Sequence, residues 1–135
     1  MQRYMTPLDR FRAKCTFDPG TGCVLWTAGT TSGQGNNLRY GAFWYEGRRW
    51  FAHRWSAKYI HNLDIDDKQV DHCCPDVPNA LCVQHLQAVP PSVNRELQWL
   101  RVQKGFDGGE HYRPPEPAPP FVGLPFHIEP RWLRA

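Results

Sequence analysis

The sequence predicts a small α+β domain with an aromatic β-hairpin in its N-terminal half and an extended proline-rich arm at its C-terminal end. Three observations lead there. Short aromatic and β-branched runs lie next to glycine turns, at 23–27 and on both sides of Glu46-Gly47. Helical periodicity occupies separate stretches, 53–61 and 92–104. Residues 105–135 hold seven Pro and four Gly, too many for a second packed unit. One domain over residues 1–104 and an arm over 105–135 follow, in a chain of 135 residues.

Taken in order, residues 6–14 read as a short helix, with Thr6 as N-cap, Pro7 in the first position and Leu8, Phe11 and Cys15 on one face. The turn Pro19-Gly20-Thr21-Gly22 leads into a strand at Cys23-Val24-Leu25-Trp26-Thr27. Gly, Ser and Thr make 28–37 a loop. Residues 39–45 and 48–52 flank a two-residue turn containing Gly, so a hairpin over about 38–52 is expected, its Trp and Tyr side chains packed in the core. Trp55, Tyr59 and Ile60 recur at helical spacing, and Asn62 ends that helix. Pro75 and Pro78 interrupt 70–89, which therefore holds no long regular element. Ser92 caps a last helix to about Lys104, with Val93, Leu97 and Leu100 along one side. In the arm, Phe121, Val122, Leu124, Phe126, Trp132 and Leu133 are apolar anchors, for the body of the chain or for a second copy in a homodimer.

No apolar run approaches the ~20 residues of a membrane helix, and the first residues do not read as a signal peptide, so an intracellular protein is expected. Charge is uneven. Residues 1–60 carry nine Lys/Arg against three Asp/Glu, whereas 61–104 carry four against six. A basic half beside an acidic half suits a polyanion surface next to a cation site.

Five cysteines without a secretory context point to thiols and metal binding rather than to disulfides. Cys74, Cys82 and His85 fall within 12 residues in a proline-broken segment, poor material for a core and good material for a closed zinc site. Cys23 is the natural fourth ligand, with Cys15 its rival and Cys73 able to replace Cys74. Asp71, His72 and Asn94 form a second set. Carboxylate and amide oxygens suit a hard cation such as Mg²⁺. A neutral imidazole beside it can take a proton from water, and the cation steadies charge on a leaving oxygen. That combination suits phosphodiester hydrolysis.

The ordered set Gly22-Cys23-Val24-Leu25-Trp26, Ala52-His53-Arg54, Val70-Asp71-His72-x-Cys74, Cys82, His85-Leu86 and Asn94 resembles the HNH nucleases of the ββα-metal superfamily. It is most similar to the zinc-bearing branch with the His-Cys box homing endonucleases and phage HNH proteins. The resemblance covers residues 8–97 and implies a zinc-stapled ββα-metal fold, with His72 on a two-stranded ribbon and Asn94 on the helix across it. It also implies a Mg²⁺-dependent DNA endonuclease leaving 5′-phosphate and 3′-hydroxyl ends. In that frame His72 is the general base, Asp71 and Asn94 hold the cation, and Cys23, Cys74, Cys82 and His85 hold zinc. Arg54 steadies the scissile phosphate. The loop is longer before Cys82 and shorter after it than in the family, leaving Asn79 as the nearest match for the middle Asn.

Double-stranded DNA is the expected partner, because a two-stranded ribbon enters the major groove. Gln34, Asn36, Asn37 and Arg39 lead into the hairpin and Arg48 and Arg49 leave its turn, all side chains that read bases or grip phosphate. The alternative expectation is a catalytically inactive zinc-containing DNA-binding module of the same fold.

Overall fold

The computed structural model describes residues 5–31, 39–74, 78–103 and 128–134. Along the chain these form α1 (Pro7–Arg12), β1 (Cys15–Phe17), β2 (Val24–Trp26), β3 (Ala42–Tyr45), β4 (Arg48–Phe51), α2 (Ala52–Tyr59), β5 (Gln69–His72), β6 (Leu86–Val89), α3 (Pro91–Gln103) and α4 (Arg131–Arg134). The strands make three two-stranded antiparallel sheets, β1–β2, β3–β4 and β5–β6. The fold is small and mixed α+β.

Local chemistry explains most of the element ends. At α1 the Thr6 hydroxyl accepts from Asp9 N–H and the Asp9 carboxylate accepts from Thr6 N–H, both at 3.1 Å, so two orphan donors of the first turn are satisfied. The β3–β4 turn places Glu46 at φ 51° and Gly47 at φ 74°. Two positive φ values in a two-residue loop match the right-handed twist of the strands. Asn62, at φ 55°, turns the chain away after α2. Ser92 is not the cap of α3. Pro91, with φ preset for a helix, takes the first helical position and leaves Ser92 inside the first turn.

Phe11 sits at the centre of the main core, its ring centroid 4.8 Å from both Trp26 and Trp55 and 5.1 Å from Phe43. Val24, Ala52 and Val83 close the cluster. Gly41 is required where β3 approaches β2, since a Cβ there would lie 2.5 Å from Trp26 Cδ1 and 2.9 Å from Ala52 Cβ. A second core lies between α2 and the β5–β6 ribbon, where Ala57, Ile65 and Val70 meet Leu86 and Ala88.

As expected, the segment 70–89 holds no long regular element, only the four-residue strands β5 and β6 at its two ends. Two expectations are corrected. Residues 131–134 are not extended: they form a helical turn docked on the body of their own chain. Trp132 and Leu133 pack against the main core, Trp132 Nε1 donates to Gln84 Oε1 at 2.7 Å, and Arg12 donates to the Trp132 carbonyl at 3.2 Å. Trp44 is no core residue, being 62% exposed. Strand alternation sends Phe43 inward and Trp44 outward. The other proposed arm anchors, Phe121, Val122, Leu124 and Phe126, lie outside the described residues. Among the described residues no helix is long and apolar enough to cross a membrane.

Candidate metal centre and its neighbouring polar set

Three chain segments meet at a buried Cys₃His cluster. Cys23 enters from the first residue before β2, Cys74 from just beyond β5, and Cys82 and His85 from the segment that runs into β6. Backbone pairing brings them together. Trp26 N–H donates to the Leu81 carbonyl at 2.9 Å and Val83 N–H to the Val24 carbonyl at 2.8 Å, so residues 81–83 run antiparallel to β2 and carry Cys82 beside Cys23. The buried Ser56 hydroxyl donates to the Val83 carbonyl at 2.6 Å and locks this segment to α2.

The four ligand atoms lie within 4.8 Å of one another. Nδ1 of His85 is 3.5 Å from Cys23 Sγ and 3.6 Å from Cys82 Sγ. Tetrahedral arms of about 2.3 Å to sulfur and about 2.0 Å to nitrogen set S and N roughly 3.5 Å apart, so the edges fit such an ion. Such a cluster can hold a metal such as zinc. Two sulfurs accept backbone N–H groups, Cys74 from Asn79 and Cys82 from His85, both at 3.5 Å. These donors favour thiolate. The Cys23 and Cys74 thiols, then the His85 and Gln84 N–H groups, hold the Cys82 thiol well below its ordinary range.

The two rival cysteines are elsewhere. Cys15 is half-buried beside the main core, its Sγ donating to the Phe11 carbonyl at 3.3 Å, and burial pushes its thiol up to about 12. Cys73 is buried outside the cluster, its N–H donating to the His85 carbonyl at 2.9 Å. Asn79 organises the altered loop: its Oδ1 accepts from Leu81 N–H at 2.9 Å and its carbonyl from Cys82 N–H at 3.0 Å.

The β5–β6 ribbon carries the second set on two faces. Val70 pairs with Ala88 and His72 with Leu86, and these four face α2. Gln69 and Asp71 alternate to the other face, which α3 covers. There buried Asp71 accepts from Gln87 Nε2 at 2.8 Å, and Asn94 Nδ2 donates to Gln69 Oε1. Asn94 is 9% exposed, and its Oδ1 is buried with no hydrogen-bond partner among the described residues. On the α2 face His72 lies 4.6 Å, ring to ring, from His53 and 6.3 Å from Tyr40. His53 is buried at the start of α2. Burial first, then the His72 and Arg54 charges, push its imidazole down to about 2.

The remaining expected site residues are spread over the hairpin. Arg39, Arg48 and Arg49 are exposed, with the Arg48 guanidinium 4.2 Å above the Trp50 ring. Gln34, Asn36 and Asn37 lie outside the described residues. Arg54 does not join the polar set. Its guanidinium donates to the Lys68 carbonyl at 3.0 Å and the Ile65 carbonyl at 3.3 Å, fastening the loop that leads into β5. Gln69 and Gln87, which hold Asn94 and Asp71, were not anticipated from sequence; their period-two spacing with Asp71 and Val89 was the available signal. Comparison with protein-family models, curated proteins and solved structures returned no match.

Proposed function

We propose that this chain is a Mg²⁺-dependent DNA endonuclease of the HNH, His-Cys box type, stapled by zinc. The observation that carries the reading is the buried Asn94 Oδ1, an acceptor without a hydrogen-bond donor among the described residues, over the ribbon face that carries the Asp71 carboxylate. A buried acceptor of this kind is costly unless something completes it. Asp71 and Asn94 offer the hard oxygen donors that Mg²⁺ takes, and bound there the ion supplies a Lewis acid for charge on the departing oxygen. Three thiols and an imidazole suit zinc instead, so the two sets divide between a structural and a catalytic ion.

His72 is the residue that moves a proton. Its imidazole takes a proton from water, the water oxygen bonds to phosphorus, and the bond from phosphorus to O3′ breaks with its electron pair on O3′. That oxygen takes a proton from solvent, leaving a 5′-phosphate and a 3′-hydroxyl. The His53 and Tyr40 rings limit the rotation of His72. Exposed Arg39, Arg48 and Arg49 supply the positive hairpin for duplex phosphates and base edges.

A second reading, a zinc-bearing DNA-binding module without hydrolysis, is favoured by one observation: His72 and Asp71 face opposite sides of the ribbon. Zinc-loaded protein, supercoiled plasmid and Mg²⁺ separate the two. Relaxed or linear product that disappears with His72→Ala and in the absence of Mg²⁺ supports the nuclease. A mobility shift without product in either protein supports the module.

A further inference from the structure

On the outer face of the β3–β4 hairpin, Trp44 and Arg49 are open to solvent, while Phe51 is in ring contact with Tyr40 and with His53 of α2. The hairpin register pairs Trp44 with Arg49 and Ala42 with Phe51, and Trp44, Arg49 and Phe51 are all exposed. Beside this face lies a groove of about 480 Å³ between α1, residues 28–30 and β3. Arg10, Lys14 and Arg49 line it together with Trp44, and among the described residues no carboxylate does. Arg10 is held in place: its guanidinium donates to the Trp44 carbonyl at 3.4 Å and lies 4.9 Å over the Phe43 ring. The groove thus presents three cations and one exposed indole, carried by α1, the turn that follows it and a hairpin, with α1 and the hairpin sharing the main core.

Cations spaced along a groove beside an aromatic platform suit a single strand. The phosphates track the charges and an unstacked base lies on the ring, whereas duplex bases are already stacked on each other. A peptide ligand would need acidic residues at matching spacing and would leave the indole without a π partner. The same face continues toward the candidate base: Phe51 lies 5.5 Å from Tyr40, and Tyr40 lies 5.2 Å from His53.

We propose that the groove between α1 and the outer face of β3–β4 binds single-stranded nucleic acid, its phosphates taken by Arg10, Lys14 and Arg49 and one base laid on Trp44. It rests on the reading that nucleic acid is the ligand and does not require hydrolysis. Such a groove directs the protein to duplexes with an unpaired segment next to the cutting site.

The test is fluorescence anisotropy of a labelled 12-nucleotide single strand and of the matching duplex, with full-length, zinc-loaded protein in Mg²⁺-free buffer. Trp44→Ala is expected to weaken single-strand binding roughly tenfold, since stacking is a large share of such affinity. Lys14→Ala with Arg49→Ala is expected to flatten the slope of log affinity against log salt by about 1.4, at about 0.7 per phosphate contact. The control Arg131→Ala with Arg134→Ala, which removes two charges from α4, is expected to change neither. Wild-type protein that binds the single strand, with groove variants matching the wild type, overturns the groove and leaves the nucleic-acid reading standing. Binding to the duplex alone also overturns the groove. No binding to either probe overturns both.

Discussion

Cys23 Sγ lies 3.5 Å from His85 Nδ1 although 62 residues separate them in the chain. That approach depends on the pairing of β2 with residues 81–83, which joins the N-terminal hairpin to the ribbon segment. A metal at this point would tie three separate chain segments together and so act on folding as well as on geometry.

The protein should therefore carry one tightly held metal ion per chain. Cys82→Ser or Cys23→Ser is expected to lose that ion and the cooperative thermal transition together, whereas Cys15→Ser and Cys73→Ser should retain full metal content. Elemental analysis of purified protein beside a melting curve reads both. An unchanged metal content in Cys82→Ser would show that the cluster does not hold it.

Phe11 touches three other core aromatics and is fully buried, so Phe11→Ala leaves a cavity at the centre of the main core. A loss of about 3–5 kcal/mol is expected in urea unfolding. Gly41→Ala tests the opposite error. Its methyl must displace the Trp26 ring, and overpacking of this kind costs about 1–3 kcal/mol.

His53 gives a pH signature. Its imidazole is pushed down to about 2 by burial, so the folded state keeps it neutral while the unfolded chain protonates near 6.5. Protons thus bind more to the unfolded state, and stability falls as pH drops below about 6.5, by roughly 1.4 kcal/mol per pH unit from this group. His53→Phe removes the titration and leaves the metal cluster in place. The gap between the two stability–pH curves should be constant above pH 7 and should shift in favour of His53→Phe below pH 6. Parallel curves from pH 8 to pH 5 would exclude this account of His53.

Asn94 and His72 should separate catalysis from folding. Asn94→Ala and His72→Ala are expected to keep the metal of the Cys₃His cluster and to lower the cleavage rate, His72→Ala by about 10²–10⁴-fold, the usual scale for losing a positioned base, and Asn94→Ala in a way that added Mg²⁺ partly restores. Metal analysis alongside cleavage kinetics checks it. Loss of zinc in either variant would assign these residues to the fold instead.

Much of the arrangement was legible in the sequence where one residue type has one strong use. Thr6 and Pro7 marked α1, Glu46-Gly47 marked the hairpin turn, and the Cys and His residues of a Pro-broken segment had few uses apart from a metal. What stayed illegible depends on contacts that no local pattern encodes. β1 is three residues long, too short for a period to emerge. Each face of the four-residue ribbon strands mixes apolar with polar side chains, Val70, His72, Leu86 and Ala88 on one and Gln69, Asp71, Gln87 and Val89 on the other, because α2 and α3 each cover one side. Arg54 looked available until the carbonyls of Ile65 and Lys68 were folded against it. Trp44 looked like core until register turned it outward.

Cleavage of a randomised-sequence duplex library, read by sequencing every new end, tests the central claim most directly because it does not depend on knowing a target. Zinc-loaded protein with Mg²⁺ should generate 5′-phosphate ends that are absent when Mg²⁺ is omitted and absent with His72→Ala. An end distribution identical for wild type, His72→Ala and the Mg²⁺-free control would contradict the nuclease.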